Sequence, residues 1–245
     1  MSYEIAQQRI AEARRTNSPR LNLSGLGLTE LPSELFELTS LRVLWLSKNQ
    51  MTALPPEFGR LNQLVRLRLN QNQLAALPTE FGALIELREL WMADNQFERF
   101  PDEFWQLIEL RMLMLSGNKL KVLPAAIAQF QELQTLSLGR LSRHRGIMSE
   151  YQGGNLLATL PKEIGKLSKL RELELSNNRL EEIPSEITLL KSLEGLWLSS
   201  NKLRAVPFML CGLKNLKWLG LAFNNFKEAP RELSDLVNLK ALSLS

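Results

Sequence analysis

The pattern Leu-x-x-Leu-x-Leu-x-x-Asn-x-Leu-x-x-Leu-Pro-x-x-Ile/Phe-x-x-Leu returns every 23 residues along this chain, and a fixed period of that length constrains the fold before any single residue is weighed. The register begins at Ser18 and continues from Leu41, Leu64, Leu87, Leu110, Leu133, Leu170, Leu193, Leu216 and Leu239. A unit this small cannot bury its own apolar face, so neighbouring units must stack on one continuous core. The 245 residues therefore read as one elongated array rather than as separate closed globules.

Within each unit apolar and polar residues alternate, as in Leu44-Trp45-Leu46 and Leu173-Glu174-Leu175, which predicts a short half-buried strand. Strands one repeat apart stack into a parallel sheet. Leu23, Leu46, Leu69, Met92, Leu115, Leu138, Leu175, Leu198, Leu221 and Leu244 then form one buried column, and the residues between the strand leucines face outward on the concave side. The Asn of each unit, from Asn49 to Asn224, offers a side-chain amide to backbone groups that neither helix nor sheet would pair; only the first unit departs, with Leu26. The Leu-Pro step, from Pro32 to Pro230, opens a short helical turn on the convex side. The fold class is an α/β repeat, a leucine-rich-repeat solenoid or horseshoe over residues 18–245.

Residues 1–17 are helix-prone, with Ala6, Ile10 and Ala13 on one stripe, and predict an N-terminal capping helix over the exposed edge of the apolar column. Arg9, Arg14 and Arg15 make the segment basic, but its apolar stripe is too thin to favour a membrane surface. At the other end the chain stops at Ser245 directly after a tenth strand, which reads as an array truncated from a longer polypeptide.

With 30 basic and 26 acidic residues, the net charge of +4 is too balanced to argue nucleic-acid binding. Cys211 is the only cysteine, so the disulfide-bonded caps of secreted repeat proteins cannot form; with no export signal or membrane-length apolar run, the reading is cytoplasmic.

Units such as Leu170-Arg-Glu-Leu-Glu-Leu-Ser-Asn-Asn-Arg-Leu-Glu-Glu-Ile-Pro-Ser-Glu-Ile resemble the intracellular Ras-suppressor type of leucine-rich repeat. The opening Gln8-Arg-Ile-Ala-Glu-Ala-Arg-Arg-Thr-Asn, followed by Leu21-Asn-Leu-Ser-Gly-Leu-Gly-Leu-Thr-Glu-Leu-Pro, is also similar to the starts of bacterial repeat proteins, including Roco proteins. There the array precedes a Ras-like GTPase domain. That second likeness implies a regulatory or partner-binding module, whose partner is a small GTPase or a domain of the same polypeptide.

No phosphate loop, paired-cysteine metal signature or His-Glu-x-x-His is present, and no cofactor is implied. His144 and Cys211, each the single residue of its kind, lie on different repeats. The recurring Pro-x-Glu carboxylates, such as Glu57 and Glu186, suit the starts of helical turns and read as structural. The chain reads as a non-enzyme.

The informative positions lie between the second and third strand leucines, which read Asn22, Trp45, Arg68, Trp91, Met114, Ser137, Glu174, Trp197, Gly220 and Ser243. Nothing in the repeat requires tryptophan there. Strands spaced about 4.8 Å apart set Trp45, Arg68, Trp91 and Met114 side by side, and exposed Trp and Arg are the side chains that most often anchor interfaces. The competing reading is a mutual cation–π stack with no partner. Arg42, Arg66, Arg88 and Arg111 flank the patch, and Trp197 with Trp218 offers a smaller second anchor. Glu172, Glu174 and Glu194 make the later units acidic, so the face reads as basic first and acidic later, suited to a protein partner with an acidic patch. Nucleic acid would use the same arginines and tryptophans, but the acidic later units argue against it.

The unit at Leu133 carries a 14-residue insertion within 139–154. Arg140, Arg143, His144 and Arg145 make it basic, Tyr151 gives it an apolar surface, and it leaves the array beside the concave face. A long loop in a regular scaffold is either functional or simply tolerated, and these residues do not separate the two.

Overall fold

The computed structural model describes residues 2–139, 153–205, 208–227, 233 and 236–244. Ten three-residue strands form one parallel sheet in chain order. They are β1 (Arg20–Asn22), β2 (Val43–Trp45), β3 (Arg66–Arg68), β4 (Glu89–Trp91), β5 (Met112–Met114), β6 (Thr135–Ser137), β7 (Glu172–Glu174), β8 (Gly195–Trp197), β9 (Trp218–Gly220) and β10 (Ala241–Ser243). Every pairing sets the same repeat position opposite itself, as with Leu44 against Leu67 and Leu67 against Leu90. A period of fixed length thus becomes a fixed register.

The chain returns between strands through five-residue 3₁₀ helices such as Pro56–Arg60, Thr79–Ala83 and Asp102–Gln106. The proline of the Leu-Pro step stands one residue ahead of these turns rather than inside them. Pro78 is extended at φ −68° and ψ 154°, and its carbonyl accepts the Phe81 N–H at 3.0 Å. Glycine lets successive turns approach: a Cβ on Gly59 or Gly82 would stand 2.6 Å from the carbonyl oxygen of Glu80 or Glu103 in the next repeat. Inside them runs an aromatic file, with Phe58 stacked on Phe81 at 5.9 Å and Phe81 on Phe104 at 6.4 Å. Trp105 is buried beside Phe104 and belongs to this core.

The predicted leucine column is buried from Leu23 to Leu221. Leu244 departs from it at 43% exposure, because β10 is the last strand of the sheet and no described residue covers its outer flank. The repeat Asn stitches each unit to the one before. Asn95, for example, donates from Nδ2 to Leu69 O at 3.0 Å and Met92 O at 3.1 Å, while its Oδ1 accepts the Leu74 N–H at 3.0 Å. The residue before the Asn turns the chain through the left-handed region, with φ of 60° at Lys48, 56° at Gln71, 52° at Asp94, 56° at Asn177 and 57° at Phe223.

Helix α1 (Ser2–Thr16) lays Ala6, Ile10 and Ala13 against the first repeat, and all three are buried. Arg9 and Arg14 serve this docking, whereas Arg15 pairs within the helix. Arg9 donates to Asn22 O at 2.9 Å, Arg14 pairs with Glu37, and Arg15 is held by Glu12. The Glu34 backbone N–H, then the Gln7 amide at 3.1 Å, hold the Glu34 carboxyl below the usual carboxylate range.

Arg140, Arg143, Arg145 and Tyr151 of the insertion lie outside the described residues. On either side the array keeps its register: Leu136 faces Leu173 across β6 and β7, and Asn155 donates to Leu115 O at 2.9 Å and Leu138 O at 2.7 Å, as its counterparts do.

Candidate concave binding site

Because strand side chains alternate, the residues flanking each strand's central leucine share the concave face. The sheet brings Trp45, Arg68 and Trp91 together as register partners on β2, β3 and β4. Both indoles are half-buried and Arg68 is exposed. The Arg68 guanidinium lies over the Trp91 ring, 4.2 Å from its centroid, so the cation–π contact weighed in the sequence is present alongside an accessible patch.

Met114 does not join that patch. It is 2% exposed, with Trp91 and Ser137 as its register partners on either side, so an indole stands one strand spacing away on one flank. The basic-to-acidic polarity is also weaker than the sequence suggests. Arg66 is neutralised by Glu89 at 3.0 Å and Glu194 by Lys217 at 2.8 Å, while Glu174 is 3% exposed and accepts the Ser176 N–H at 2.7 Å. Arg42, Arg88 and Arg111 are exposed and occupy the position just before each strand, at the margin of the concave face.

Around Trp45 the face deepens into a cleft of about 440 Å³ lined by Asn22, Ser24, Trp45, Ser47, Lys48, Arg68, Asn70 and Gln71. Of these eight, Asn22, Trp45 and Arg68 belong to the column read from the sequence; Ser24, Ser47, Lys48, Asn70 and Gln71 do not, because polar residues just past the strand look like turn residues. Trp197 and Trp218 are half-buried at the far end of the sheet. They stand at different positions within the strand: Trp197 faces Gly220 and Trp218 faces Gly195. Phe223 was also missed. It is 75% exposed and adopts φ 57°, a backbone conformation that suits the Lys, Gln, Asp, Asn and Ser of other units better than a bulky ring.

Among the described residues no cluster of side chains is suited to a metal ion, and no helix is long and apolar enough to cross a membrane.

A family model described as a leucine-rich repeat region matches residues 20–112 and 155–245. The chain belongs to this leucine-rich-repeat family. No curated protein matches it in sequence. Among solved structures it is similar to a leucine-rich-repeat protein of Leptospira interrogans, with 28% identity over 95% of this chain and 74% of the other, at a TM-score of 0.53. It is also similar to the ectodomain of the plant membrane receptor kinase GASSHO1/SCHENGEN3 from Arabidopsis thaliana, solved in complex with CASPARIAN STRIP INTEGRITY FACTOR 2. That match has 32% identity over 88% of this chain and 25% of the other, with a TM-score of 0.72. A third, the TLR13–ssRNA13 complex, matches with 26% identity over 92% of this chain and 32% of the other, at a TM-score of 0.74. This leucine-rich-repeat chain thus spans a quarter to a third of those two larger neighbours. Leucine-rich repeats are generally non-enzymatic scaffolds for protein–protein interaction.

Proposed function

We propose that this chain is a non-catalytic scaffold that binds a protein partner through its concave face, with Trp45, Arg68 and Trp91 as the principal anchors. The observation that carries the reading is their placement on three consecutive in-register strands, beside a cleft and outside the core. Large aromatic and Arg side chains held on a rigid sheet lose little entropy on contact and are the residues most often dominant in interface energetics. The plant neighbour, whose structure holds a factor bound to a leucine-rich-repeat ectodomain, supports a polypeptide as the class of partner. Arg42, Arg88 and Arg111, exposed along the margin of the face, favour one with an acidic patch, and the lone Cys211 suits the cytoplasm.

The test is capture of the partner from the source cell by wild-type chain and by the Trp45→Ala, Trp91→Ala double variant. Loss of the partner at unchanged melting temperature supports the reading; retention overturns it. The TLR13 neighbour was solved with an RNA, so the same assay is run against ionic strength, where a phosphate-like slope identifies nucleic acid instead.

A second reading is a regulatory segment of a larger Roco-like GTPase or kinase signalling protein. It rests on residues 8–17 and 21–32, which resemble the openings of such proteins. A phosphate-loop motif encoded soon after residue 245 decides for it.

A further inference from the structure

We propose that the concave cleft beside Trp45 is a carboxylate site, which seats an Asp or Glu side chain of the partner between the Arg68 guanidinium and the Ser47 hydroxyl. The proposal rests on the concave-face reading and names the chemistry recognised there.

Arg68 contacts no carboxylate among the described residues, whereas Arg66, two residues earlier, is neutralised by Glu89. The contact with Trp91 restrains the Arg68 guanidinium, so less side-chain freedom remains to be lost when it meets an anion. An oriented guanidinium is the side chain best matched to a carboxylate, with two parallel N–H donors for two oxygens.

The second observation is independent of the first. Ser47 lines the same cleft, and its Oγ is the one buried side-chain oxygen or nitrogen among the described residues with no hydrogen-bond partner. At the same repeat position elsewhere the polar groups close on one another. Ser116 Oγ meets Ser137 Oγ at 2.7 Å, and Asn70 Oδ1 accepts the Ala93 N–H at 2.8 Å. A buried hydroxyl without an acceptor costs stability, and such a group in a native fold calls for an explanation. Turned into the cleft about its Cα–Cβ bond, the hydroxyl donates to a ligand oxygen, which supplies the missing acceptor.

With the Lys48 ammonium also in the lining the cleft is cationic, and the guanidinium and hydroxyl offer their donors to one carboxylate. The Trp45 indole gives the cleft an apolar wall, which the methylenes of an acidic side chain can cover and an inorganic anion cannot. The volume of about 440 Å³ is ample for one such side chain with its flanking backbone.

The full chain is titrated with end-blocked oligoglutamate, with oligoglutamine of equal length and with inorganic phosphate, following the Trp45 indole N–H resonance, assigned with Trp45→Phe. Oligoglutamate is expected to shift it saturably, and the other two are not. Arg68→Met weakens oligoglutamate binding by about tenfold, the effect of losing one charge-assisted contact. Ser47→Ala, which leaves the Arg68 stack in place, weakens it by about fivefold. Arg60→Met removes the same charge from a convex turn and changes the affinity little. Equal losses in Arg60→Met and Arg68→Met overturn the proposal in favour of diffuse attraction, as does a saturable response to phosphate alone or none to oligoglutamate. If the captured partner needs Trp45 and Trp91 but oligoglutamate does not compete for it, the carboxylate site falls while the concave-face reading stands. If capture ignores both tryptophans, the concave-face reading itself falls.

Discussion

The indole of Trp197 lies across Gly195, two residues earlier on the same strand, so closely that a Cβ at Gly195 would overlap the ring. Gly220, its register partner on β9, lies on the other side, where a Cβ would stand 3.2 Å from the Trp197 Cδ1. Both glycines have ordinary backbone angles, so their small size is what the site uses.

Gly195→Ala therefore separates two outcomes by sign. If the indole is bedded as described, the methyl displaces it, costs about 1 to 3 kcal/mol and moves Trp197 fluorescence to longer wavelength. Were the position open, alanine in a strand would instead stabilise by about 0.5 to 1 kcal/mol. Urea titration of both chains reads the sign.

Asn95→Ala tests the stitch between repeats. Asn95 is 2% exposed and its amide serves Leu69 O, Met92 O and the Leu74 N–H, so alanine leaves the buried Leu74 N–H without its acceptor and takes one of two amide donors from Leu69 O and from Met92 O, which keep Asn72 and Asn118. A loss of about 3 kcal/mol is expected. Asn95→Asp keeps the acceptor for Leu74 but loses both donations, and should recover only part of it. A loss in Asn95→Ala no larger than that of an exposed Gln96→Ala control argues against the stitch.

Most of this architecture was legible in the sequence, since a strict period fixes register: the leucine column, the Asn ladder and the burial of Ala6, Ile10 and Ala13 all follow from spacing. The site was less legible. Periodicity identifies which residues leave the core but not how they pair with one another. So Arg66 reads in the sequence as a free cation, although Glu89 on the next strand neutralises it, and Met114 reads as exposed because spacing alone cannot register the bulk of Trp91. The left-handed turn before each Asn leaves only a faint signal, a column of Gly, Lys, Gln, Asp, Asn and Ser in which Phe223 stands out.

Glu34 predicts the pH response of the cap. Its carboxyl is held below the ordinary range by its own backbone N–H and by Gln7, so the folded pKa lies below the unfolded one. The stabilisation is present above the unfolded pKa and is lost as pH falls through the folded value. Glu34→Gln should thus reduce the drop in melting temperature between neutral pH and pH below the carboxylate range. Parallel curves for the two chains would assign the acid response to other carboxylates.

The insertion can be removed without touching its flanks. Gly139 and Gly154 each pack so closely on the backbone of the next unit, at Ser176 and Asn177, that a Cβ on either would overlap it. Deleting residues 140–153 joins them as Leu138-Gly139-Gly154-Asn155, the spacing of Leu46-Ser47-Lys48-Asn49. The joined pair must pass through the left-handed region that Lys48 and Gln71 occupy, which glycine does at no steric cost. Asn155 already bonds Leu115 O and Leu138 O in the standard way, so nothing in the core has to move. The shortened chain is expected to unfold in one cooperative transition, within about 1 kcal/mol of wild type, since closing a shorter loop changes the entropy only slightly. Two separate transitions would show that the inserted segment ties the halves together. With the fold intact, calorimetry on the captured partner reads the role of Arg140, Arg143, Arg145 and Tyr151: weaker binding assigns them a contact, and equal binding leaves the strand face as the whole site.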